Sequence, residues 1–343
     1  MRAVVITRHG GPEVLQVQQR PDPQVAAGEV RIEVKAAGIN FADLLARTGM
    51  YPDAPKVPSV VGYEVAGLVE SVGAGVESVA VGDRVMAGTL FGGYAELVTV
   101  GEADVLALPE ALSFEQGAAT PVNYATAYAG VVLMGGLREG DRLLIHAAAG
   151  GVGISATQIA RARGAEIFGT ASASKHDAIR EQGVDHPIDY RNEDFEKVVN
   201  RITGGEGIDI AFDAIGPSSF RRDYRLLRPG GRLVCYGLSE VQTGEGRNIR
   251  GAVKSLLSMT TATMPWWTSM GIMNENKGVF GLNMLHWWDR EGSMSRAIDP
   301  LSEDLAAGRL VPVVAESFPF DRAGDAHRFI HERRNVGKVV LVP

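Results

Sequence analysis

Apolar and polar residues alternate in short runs over roughly the first third of the chain. The run Val30-Arg31-Ile32-Glu33-Val34 is typical, and its alternation indicates a strand with one buried face. Glycine and proline separate these runs, as turn residues do. Residues 1–122 are therefore predicted to be rich in β-structure, with one short helix from Phe41 to Arg47.

From about residue 123 the pattern changes to buried strands that alternate with helical stretches. Strand and helix in alternation predict a doubly wound parallel sheet, so the fold class is α/β. From about residue 290 the tail returns to short elements. The predicted strands are 141–147, 166–171, 186–189, 208–213, 231–236 and 338–342, and the predicted helices are 154–163, 175–182 and 321–333.

A glycine-rich turn follows the first strand of the alternating region. The segment Ala148-Ala149-Gly150-Gly151-Val152-Gly153 fits the dinucleotide fingerprint, with Ala148 in the first glycine place. That fingerprint needs close backbone approach to a pyrophosphate at Gly150 and tight helix–strand packing at Gly153. The strand–turn–helix context predicts a bound dinucleotide, and a glycine turn without a ligand is the alternative. The predicted phosphate-binding residues are Gly150, Gly151, Val152 and Gly153.

The end of the second strand indicates which nucleotide binds. Proteins that use the unphosphorylated cofactor usually carry Asp or Glu here, to hold the ribose hydroxyls. This chain has hydroxyls and a cation but no acid in the segment from Thr170 to Lys175. Ser172 and Lys175 suit a 2′-phosphate, because they supply hydrogen bonds and charge. NADPH is the predicted cofactor, and a lysine that only decorates a solvated helix start is the alternative.

The composition limits the classes of partner and the cellular compartment that the chain fits. The 343 residues include 41 acidic and 34 basic side chains, which gives a net charge of −7. A nucleic-acid-binding protein normally carries a basic stripe, so no nucleic-acid partner is expected. The one cysteine, Cys235, excludes an intrachain disulfide and fits a reducing, cytoplasmic location.

The uncharged stretch from Ser255 to Asn274 has about the length of a membrane-spanning helix. It contains Pro265 and seven Ser or Thr residues, so it is interpreted as a partly buried helical segment and not as a membrane span.

Several motifs occur in a fixed order along nearly the whole chain. GINFAD (38–43) and PSVVGYEVAG (58–67) lie in the first part, and PVNYATAY (121–128), FGTASASKH (168–176), HPIDY (186–190) and NVGKVVLVP (335–343) follow. The first two resemble the zinc-free quinone oxidoreductase branch of the medium-chain dehydrogenase/reductases. The others are closer still to the vesicle amine transport protein homologues within that branch.

This resemblance implies a GroES-like catalytic domain at 1–122, completed by the tail 290–343, and a Rossmann NADPH-binding domain at 123–289. It implies that Tyr190 joins Ser172 and Lys175 around the 2′-phosphate. Tyr51 and Thr126 match positions that face the nicotinamide end of the cofactor. The other cofactor positions that it implies are Gly216, Tyr236, Gly237, Leu238, Phe280, Gly281, Leu282, Asn335 and Lys338, the last two in a tail segment near the phosphates.

The same motifs show whether this chain has the residues that bind zinc in its zinc-dependent relatives. Zinc-dependent relatives place a Cys where this chain has Asn40 and a His-Glu pair where it has Tyr63-Glu64, and they carry a four-cysteine lobe. The seven histidines, His146 among them, show no ligand spacing and are interpreted as surface or packing residues. No metal is therefore expected.

Without zinc there is no Lewis acid to polarise an alcohol or a simple ketone. A quinone or an activated enone accepts hydride more easily because the product anion is delocalised, so the protein mainly has to position the acceptor. Asn40 and Tyr51 are the candidate catalytic residues, as hydrogen-bond partners of the acceptor oxygen, with a structural role as the alternative. The predicted function is an NADPH-dependent quinone or enone oxidoreductase. An enoyl-thioester reductase, and a non-catalytic protein that binds nucleotide and an apolar ligand at a membrane surface, stay open.

Tryptophan and methionine concentrate in one segment, 256–288. It contains all four tryptophans of the chain and five methionines. Such side chains suit the apolar entrance of a substrate site or a dimer interface, and ordinary core packing is an equal alternative. In the family that the chain resembles, the strand matching Val279 to Leu285 often pairs across a dimer axis, so a homodimer is expected.

Overall fold

The computed structural model describes residues 1–241 and 269–343, and they form two compact units. The first unit contains residues 1–125 and 288–343, so both ends of the chain belong to it. The second unit contains the described residues between them, 126–241 and 269–287. Trp266, Trp267, Met259 and Met264 of the Trp- and Met-rich segment lie outside the described residues.

The first unit is built on a seven-stranded sheet and a two-stranded sheet. Along the larger sheet the strand order is β14-β15-β3-β4-β5-β7, and β6 also pairs with β3. All pairs are antiparallel except β14 with β15. The strands are β1 (Arg2–Ile6), β2 (Leu15–Gln19), β3 (Glu29–Ile39), β4 (Glu64–Val72), β5 (Arg84–Gly88), β6 (Leu97–Gly101), β7 (Val105–Ala107), β14 (Val314–Pro319) and β15 (Lys338–Val342).

The long strand β3 organises this sheet. Val30, Ile32 and Val34 are buried in the core of the unit, as the alternating sequence predicts. The C-terminal strand β15 pairs beside β3, with Val339 opposite Ile39. The tail of the chain is therefore an integral part of the first unit.

The second unit contains a six-stranded sheet in the order β10-β9-β8-β11-β12-β13. All of its pairs are parallel, which confirms the predicted doubly wound parallel sheet. Leu144, Phe168, Ile188 and Leu233 contribute to its buried core. The strands are β8 (Arg142–Ile145), β9 (Glu166–Ala171), β10 (His186–Asp189), β11 (Ile208–Asp213), β12 (Leu227–Cys235) and β13 (Gly278–Gly281).

Helices and helical turns connect the strands. The helix α3 continues directly into a π-helical segment, Ala129–Met134. Over the described residues the helices are α1 (Phe41–Thr48), α2 (Phe114–Gly117), α3 (Pro121–Tyr128), α4 (Gly151–Ala162), α5 (His176–Gln182), α6 (Phe195–Ile202), α7 (Pro217–Leu226), α8 (Ser269–Glu275), α9 (Met284–Glu291), α10 (Ser295–Ile298), α11 (Ser302–Ala306) and α12 (Ala323–His331). No helix in these ranges has the length and apolar character needed to cross a bilayer.

The strand expected from Val279 to Leu285 is shorter than predicted. It ends at Gly281, and α9 begins at Met284. Asn283 explains the change, because its side-chain oxygen accepts the backbone N–H of Leu285 at 3.1 Å. Side-chain acceptors of this kind favour helix starts over continued strands.

Candidate cofactor and acceptor sites

The predicted cofactor residues of the second unit follow the ends of its six parallel strands. Because parallel strands point the same way, their carboxyl ends share one edge of the sheet, where α/β folds bind ligands. The residues are Gly150–Gly153 after β8, Ser172 and Lys175 after β9, Tyr190 after β10, Gly216 after β11, Tyr236, Gly237 and Leu238 after β12, and Phe280, Gly281 and Leu282 at the end of β13.

The glycine turn after β8 has the geometry that a phosphate site needs. Gly150 caps α4, and Gly151, Val152 and Gly153 form its first turn, where backbone N–H groups have no partner within the helix. A Cβ on Gly153 would lie 2.4 Å from the carbonyl oxygen of Ala147, so only glycine allows this packing. Ala147 itself has a φ of 53°, which is rare for a residue other than glycine. The residues present fit a dinucleotide pyrophosphate.

The turn after β9 gathers polar groups at the neighbouring position of the edge. The hydroxyl oxygens of Ser172 and Ser174 lie 3.2 Å apart, and Lys175 follows in the same helical turn, half-buried. Tyr190 reaches this place from β10, where its backbone N–H donates to the carbonyl oxygen of Ala171 at 3.3 Å. This set fits a 2′-phosphate.

The structure adds a second cation, Arg191, that the sequence analysis missed. Its guanidinium lies 5.8 Å from the ring centre of Tyr190, and the Tyr190 side chain raises the pKa of Arg191. The signal was present in the sequence, because Arg191 directly follows a residue already assigned to the pocket.

Glycines also shape the far half of the edge. Gly216 caps α7 with a φ of 132°, which favours glycine. A Cβ on Gly237 would lie 2.9 Å from the carbonyl oxygen of Ala214.

The other predicted cofactor residues of this unit differ in exposure. The Tyr236 ring stacks on Phe212 with a centroid distance of 4.0 Å. On the outermost strand Leu282 is buried, whereas Phe280 keeps 39% of its surface exposed. Thr126 is buried in α3.

A buried charged group lies next to the glycine turn and was also missed. His146, Asp213 and Asp223 have side-chain nitrogen and oxygen atoms within 4.8 Å of one another. Burial raises the pKa of Asp213 well above its usual range, and the neighbouring carboxylate of Asp223 adds to this. This is the one group with metal-ligand spacing among the residues that the structure describes, but its members already bond one another, Thr170 and Ser219. Asp213 and Asp223 lie 67 and 77 positions after His146 in the sequence, so no local sequence pattern indicates this group.

In the first unit, adjacent strands bring three polar residues together. Asn40 follows the end of β3, Glu64 opens β4 and Lys338 opens β15, and β3 pairs with both of the other strands. Lys338 is 3% exposed, Glu64 is fully buried, and the two form an ion pair. The ammonium of Lys338 also donates to Asn40 Oδ1 at 2.7 Å and to Asn123 Oδ1 at 3.4 Å.

These contacts fix the orientation of the Asn40 amide. An ammonium only donates, so the Asn40 atom facing Lys338 is the oxygen. Asn40 Nδ2 donates one hydrogen to Glu64 Oε1 at 3.0 Å, and the other Glu64 oxygen accepts the backbone N–H of Val122 at 2.8 Å. Asn40 can therefore offer an external ligand the second Nδ2 hydrogen, but not its carbonyl oxygen as a free acceptor.

The same cluster does not fit a zinc ion. Zinc in proteins takes thiolate, imidazole or carboxylate ligands, and the positions in question hold Asn40, Tyr63 and Glu64. The only carboxylate among them is already paired with the fixed cation of Lys338, which would repel a second cation.

Tyr51 lies beside two other aromatic residues of the first unit. Its ring meets Tyr63 edge-on at 6.4 Å, and Tyr63 lies 5.1 Å from Phe91. Burial raises the pKa of Tyr51. Tyr51 is therefore a protonated donor near neutral pH. Asn335, the other predicted tail residue, donates to the carbonyl oxygen of Gly337 at 2.9 Å just before β15.

The described part of the Trp- and Met-rich segment is divided between two roles. Trp288 is buried in the first unit, where its indole N–H donates to Asp104 at 2.7 Å and its ring packs on Gly88. Core packing accounts for this residue. Met270 and Met273 on α8 are instead 69% and 70% exposed, which leaves their side chains accessible to a ligand or partner.

Family models match both parts of the chain. Residues 26–110 match the alcohol dehydrogenase GroES-like domain, and residues 182–341 match the zinc-binding dehydrogenase family. The first match confirms the predicted GroES-like domain. The second carries zinc in its description, whereas the positions of the expected ligands in this chain hold the Asn40, Tyr63 and Glu64 side chains described above.

Individual proteins match over nearly the full length. The synaptic vesicle membrane protein VAT-1 homolog of Rattus norvegicus is 38% identical over 351 residues, which cover 100% of this chain and 84% of that protein. The structure of Escherichia coli quinone oxidoreductase complexed with NADPH has a TM-score of 0.84 and 31% identity, with 100% of both chains covered. The structure of CurK enoyl reductase also has a TM-score of 0.84, with 28% identity over 99% of this chain and 98% of that one.

Proposed function

The chain belongs to the medium-chain dehydrogenase/reductase superfamily, close to the VAT-1 homologues, and from this premise we propose that it is a zinc-independent, NADPH-dependent reductase of quinones or activated enones. The observation that carries the proposal is the Lys338–Glu64–Asn40 cluster. It puts an oriented amide donor at the position where zinc-dependent relatives hold a metal ligand.

The edge of the parallel sheet supports the choice of cofactor. Gly150 to Gly153 would hold the pyrophosphate, and Ser172, Lys175, Tyr190 and Arg191 would hold the 2′-phosphate. When bound, NADPH supplies the hydride. The predicted domains, 1–122 with 290–343 and 123–289, then serve as the catalytic and the NADPH-binding domain.

At the acceptor, Asn40 acts as a hydrogen-bond donor that weakly polarises the acceptor oxygen. Its remaining Nδ2 hydrogen donates to the acceptor oxygen and stabilises the negative charge that develops there. One amide donor is a weaker polariser than zinc, so the reaction is confined to acceptors whose product anion is delocalised. Quinones and activated enones meet this condition, and simple ketones do not.

The proton needed to complete the reduction has a source in Tyr51. Its phenol is half-buried and keeps its proton because burial raises the pKa. Tyr51 therefore hydrogen-bonds the acceptor or transfers a proton to it, and bulk water can supply the proton to a product that leaves as its anion.

A panel of acceptors tests the proposal. We expect the purified protein, treated with a chelator and dialysed, to oxidise NADPH with quinones and activated enones and to leave saturated ketones untouched. Loss of activity on chelation, restored by zinc, would overturn zinc independence. NADPH binding without turnover of any acceptor would favour the non-catalytic alternative.

A second candidate activity is reduction of an enoyl thioester. The similarity to CurK enoyl reductase favours it, and a thioester enolate is also a delocalised anion. Including a short enoyl thioester in the same panel separates the two. A kcat/KM for the thioester at least tenfold above that for every quinone would select it.

The outer strand of the parallel sheet supports a homodimer. Among the residues that the structure describes, β13 is the last strand of its sheet, and Phe280 on it is exposed. An exposed edge strand is a template for pairing with another chain, so we propose that two copies pair along β13. The single cysteine supports a cytoplasmic location.

A further inference from the structure

A buried imidazole lies where β8 leads into the glycine turn. His146 directly follows β8 and is 3% exposed. Its Nδ1 lies 3.0 Å from Thr170 Oγ1, and its Nε2 lies 2.9 Å from Asp223 Oδ1. The ring also packs edge-on against Phe195 at 4.8 Å. Both ring nitrogens are therefore hydrogen-bonded and the ring is packed against Phe195, so the imidazole cannot rotate independently of its surroundings.

Thr170 connects His146 to the backbone of the turn by hydrogen bonds. Its hydroxyl oxygen accepts the N–H of Ala147 at 3.3 Å, and its carbonyl oxygen accepts the N–H of Ala148 at 3.0 Å. Ala147 has the positive φ that starts the turn, a conformation that persists only where neighbouring groups enforce it. Ala147 in turn accepts the N–H of Gly150 at 2.9 Å, at the helix start.

The charges around His146 favour its protonated form. Burial alone would lower the pKa of His146, and Arg222 acts in the same direction, but Asp223 and Asp213 outweigh both and raise it to about 9. A protonated imidazole donates from both nitrogens, to Asp223 on one side and to Thr170 on the other. The Thr170 oxygen is then an acceptor for both His146 and Ala147.

We propose that His146 is a positioning residue for nucleotide binding, which acts through Thr170 to hold the phosphate-binding turn in its binding conformation. Thr170 is also the second-last residue of β9, the strand that leads to Ser172 and Lys175, so the same contact joins the two segments that would hold the cofactor. The inference rests on the nucleotide binding in the proposed function, but not on the identity of the acceptor.

The test compares two variants with a matched control. Thr170→Val keeps the side-chain shape and removes the shared acceptor, and His146→Leu removes the imidazole. His186→Leu is the control, because His186 also pairs with a carboxylate, Glu166 at 2.8 Å, but lies at the start of β10, away from the turn. Titrations with NADPH and NADH give the dissociation constants, and hydrogen–deuterium exchange of the free protein reports on residues 143–152.

We expect Thr170→Val to raise the Kd of NADPH and of NADH by about the same factor, roughly tenfold, which corresponds to about 1.4 kcal/mol. Exchange in 143–152 should rise, and the control should change neither quantity. His146→Leu should follow Thr170→Val if it folds. A Thr170→Val protein with unchanged Kd and unchanged exchange would overturn the inference while leaving the proposed function intact. A wild type that binds neither nucleotide would overturn both.

Discussion

Two lysines show how differently the two units use positive charge. Lys338 in the first unit is 3% exposed and is held by Glu64, Asn40 and Asn123. Lys175 in the second unit is half-buried on a short helical turn at the end of a strand. From the sequence and its family resemblance, both are predicted to lie near the phosphates of the cofactor. The structure places the first in a buried cluster with Glu64, Asn40 and Asn123, and it places the second at the carboxyl edge of the parallel sheet.

The difference separates two kinds of contribution to function. A buried ion pair is costly to break, because the remaining charge has no solvent to stabilise it. Lys338 therefore acts on the orientation of Asn40 and on the stability of its unit. Lys175 lies at the carboxyl edge of the parallel sheet, so its substitution should act mainly on the binding of an anion there. Substitutions of the two lysines should accordingly change different measurements.

The largest effect is expected from Lys338→Met. It leaves the Glu64 carboxylate buried without its cation, which should destabilise the protein by about 3–5 kcal/mol. Lys35→Met is the matched control, because Lys35 pairs with Glu33 near the surface and its loss should cost about 0–1 kcal/mol. The urea midpoints of the two variants measure the contrast.

A double variant sharpens this prediction. Lys338→Met combined with Glu64→Gln removes both charges, so most of the lost stability should return. Acceptor reduction should stay impaired, because the ammonium that holds the Asn40 oxygen is then absent. Equal urea midpoints for Lys338→Met and Lys35→Met would contradict the buried ion pair. A Lys338→Met protein that is stable but binds NADPH at least tenfold more weakly would instead place Lys338 at the phosphates.

A smaller effect is expected from Lys175→Ala, and it should appear in affinity. Loss of one hydrogen bond to a charged group should weaken NADPH binding about tenfold and leave NADH nearly unchanged. The NADPH preference should also shrink as salt rises. Lys197→Ala, at an exposed position on α6, is the control. Equal losses of affinity for the two cofactors would show that Lys175 does not bind the 2′-phosphate.

Much of the cofactor edge could be predicted because its signals are local. The glycine turn, the missing acid after β9 and the strand–helix alternation each lie within a few neighbouring residues, and five of the six strand positions in the parallel sheet follow from them. Arg191 was missed although it adjoins Tyr190. The expected strand from Val279 to Leu285 was wrong in its second half, because the side chain of Asn283 starts a helix there.

The acceptor cluster and the His146 group could not be found in this way. Asn40 and Lys338 are 298 positions apart, and only the pairing of β15 with β3 brings them together. His146 contacts Asp223, 77 positions further along the chain, so the sequence alone led to its interpretation as a surface or packing residue. Pairings of this kind depend on sheet topology, which residue spacing alone does not reveal.

The most direct test of the proposed mechanism is the rate of hydride transfer in Asn40→Ala. Wild type and variant are loaded with NADPH and mixed rapidly with a quinone, and the loss of NADPH absorbance gives the single-turnover rate. Because Asn40 supplies one hydrogen bond to a developing oxyanion, the rate should fall by about 10- to 100-fold, below the full effect of an oxyanion donor because the charge is delocalised. The Kd of NADPH should stay within about twofold, which corresponds to about 0.4 kcal/mol, because Asn40 acts on the acceptor and not on the cofactor. Asn200→Ala, at an exposed position on α6, should behave as wild type. An Asn40→Ala protein that transfers hydride at the wild-type rate would contradict the account.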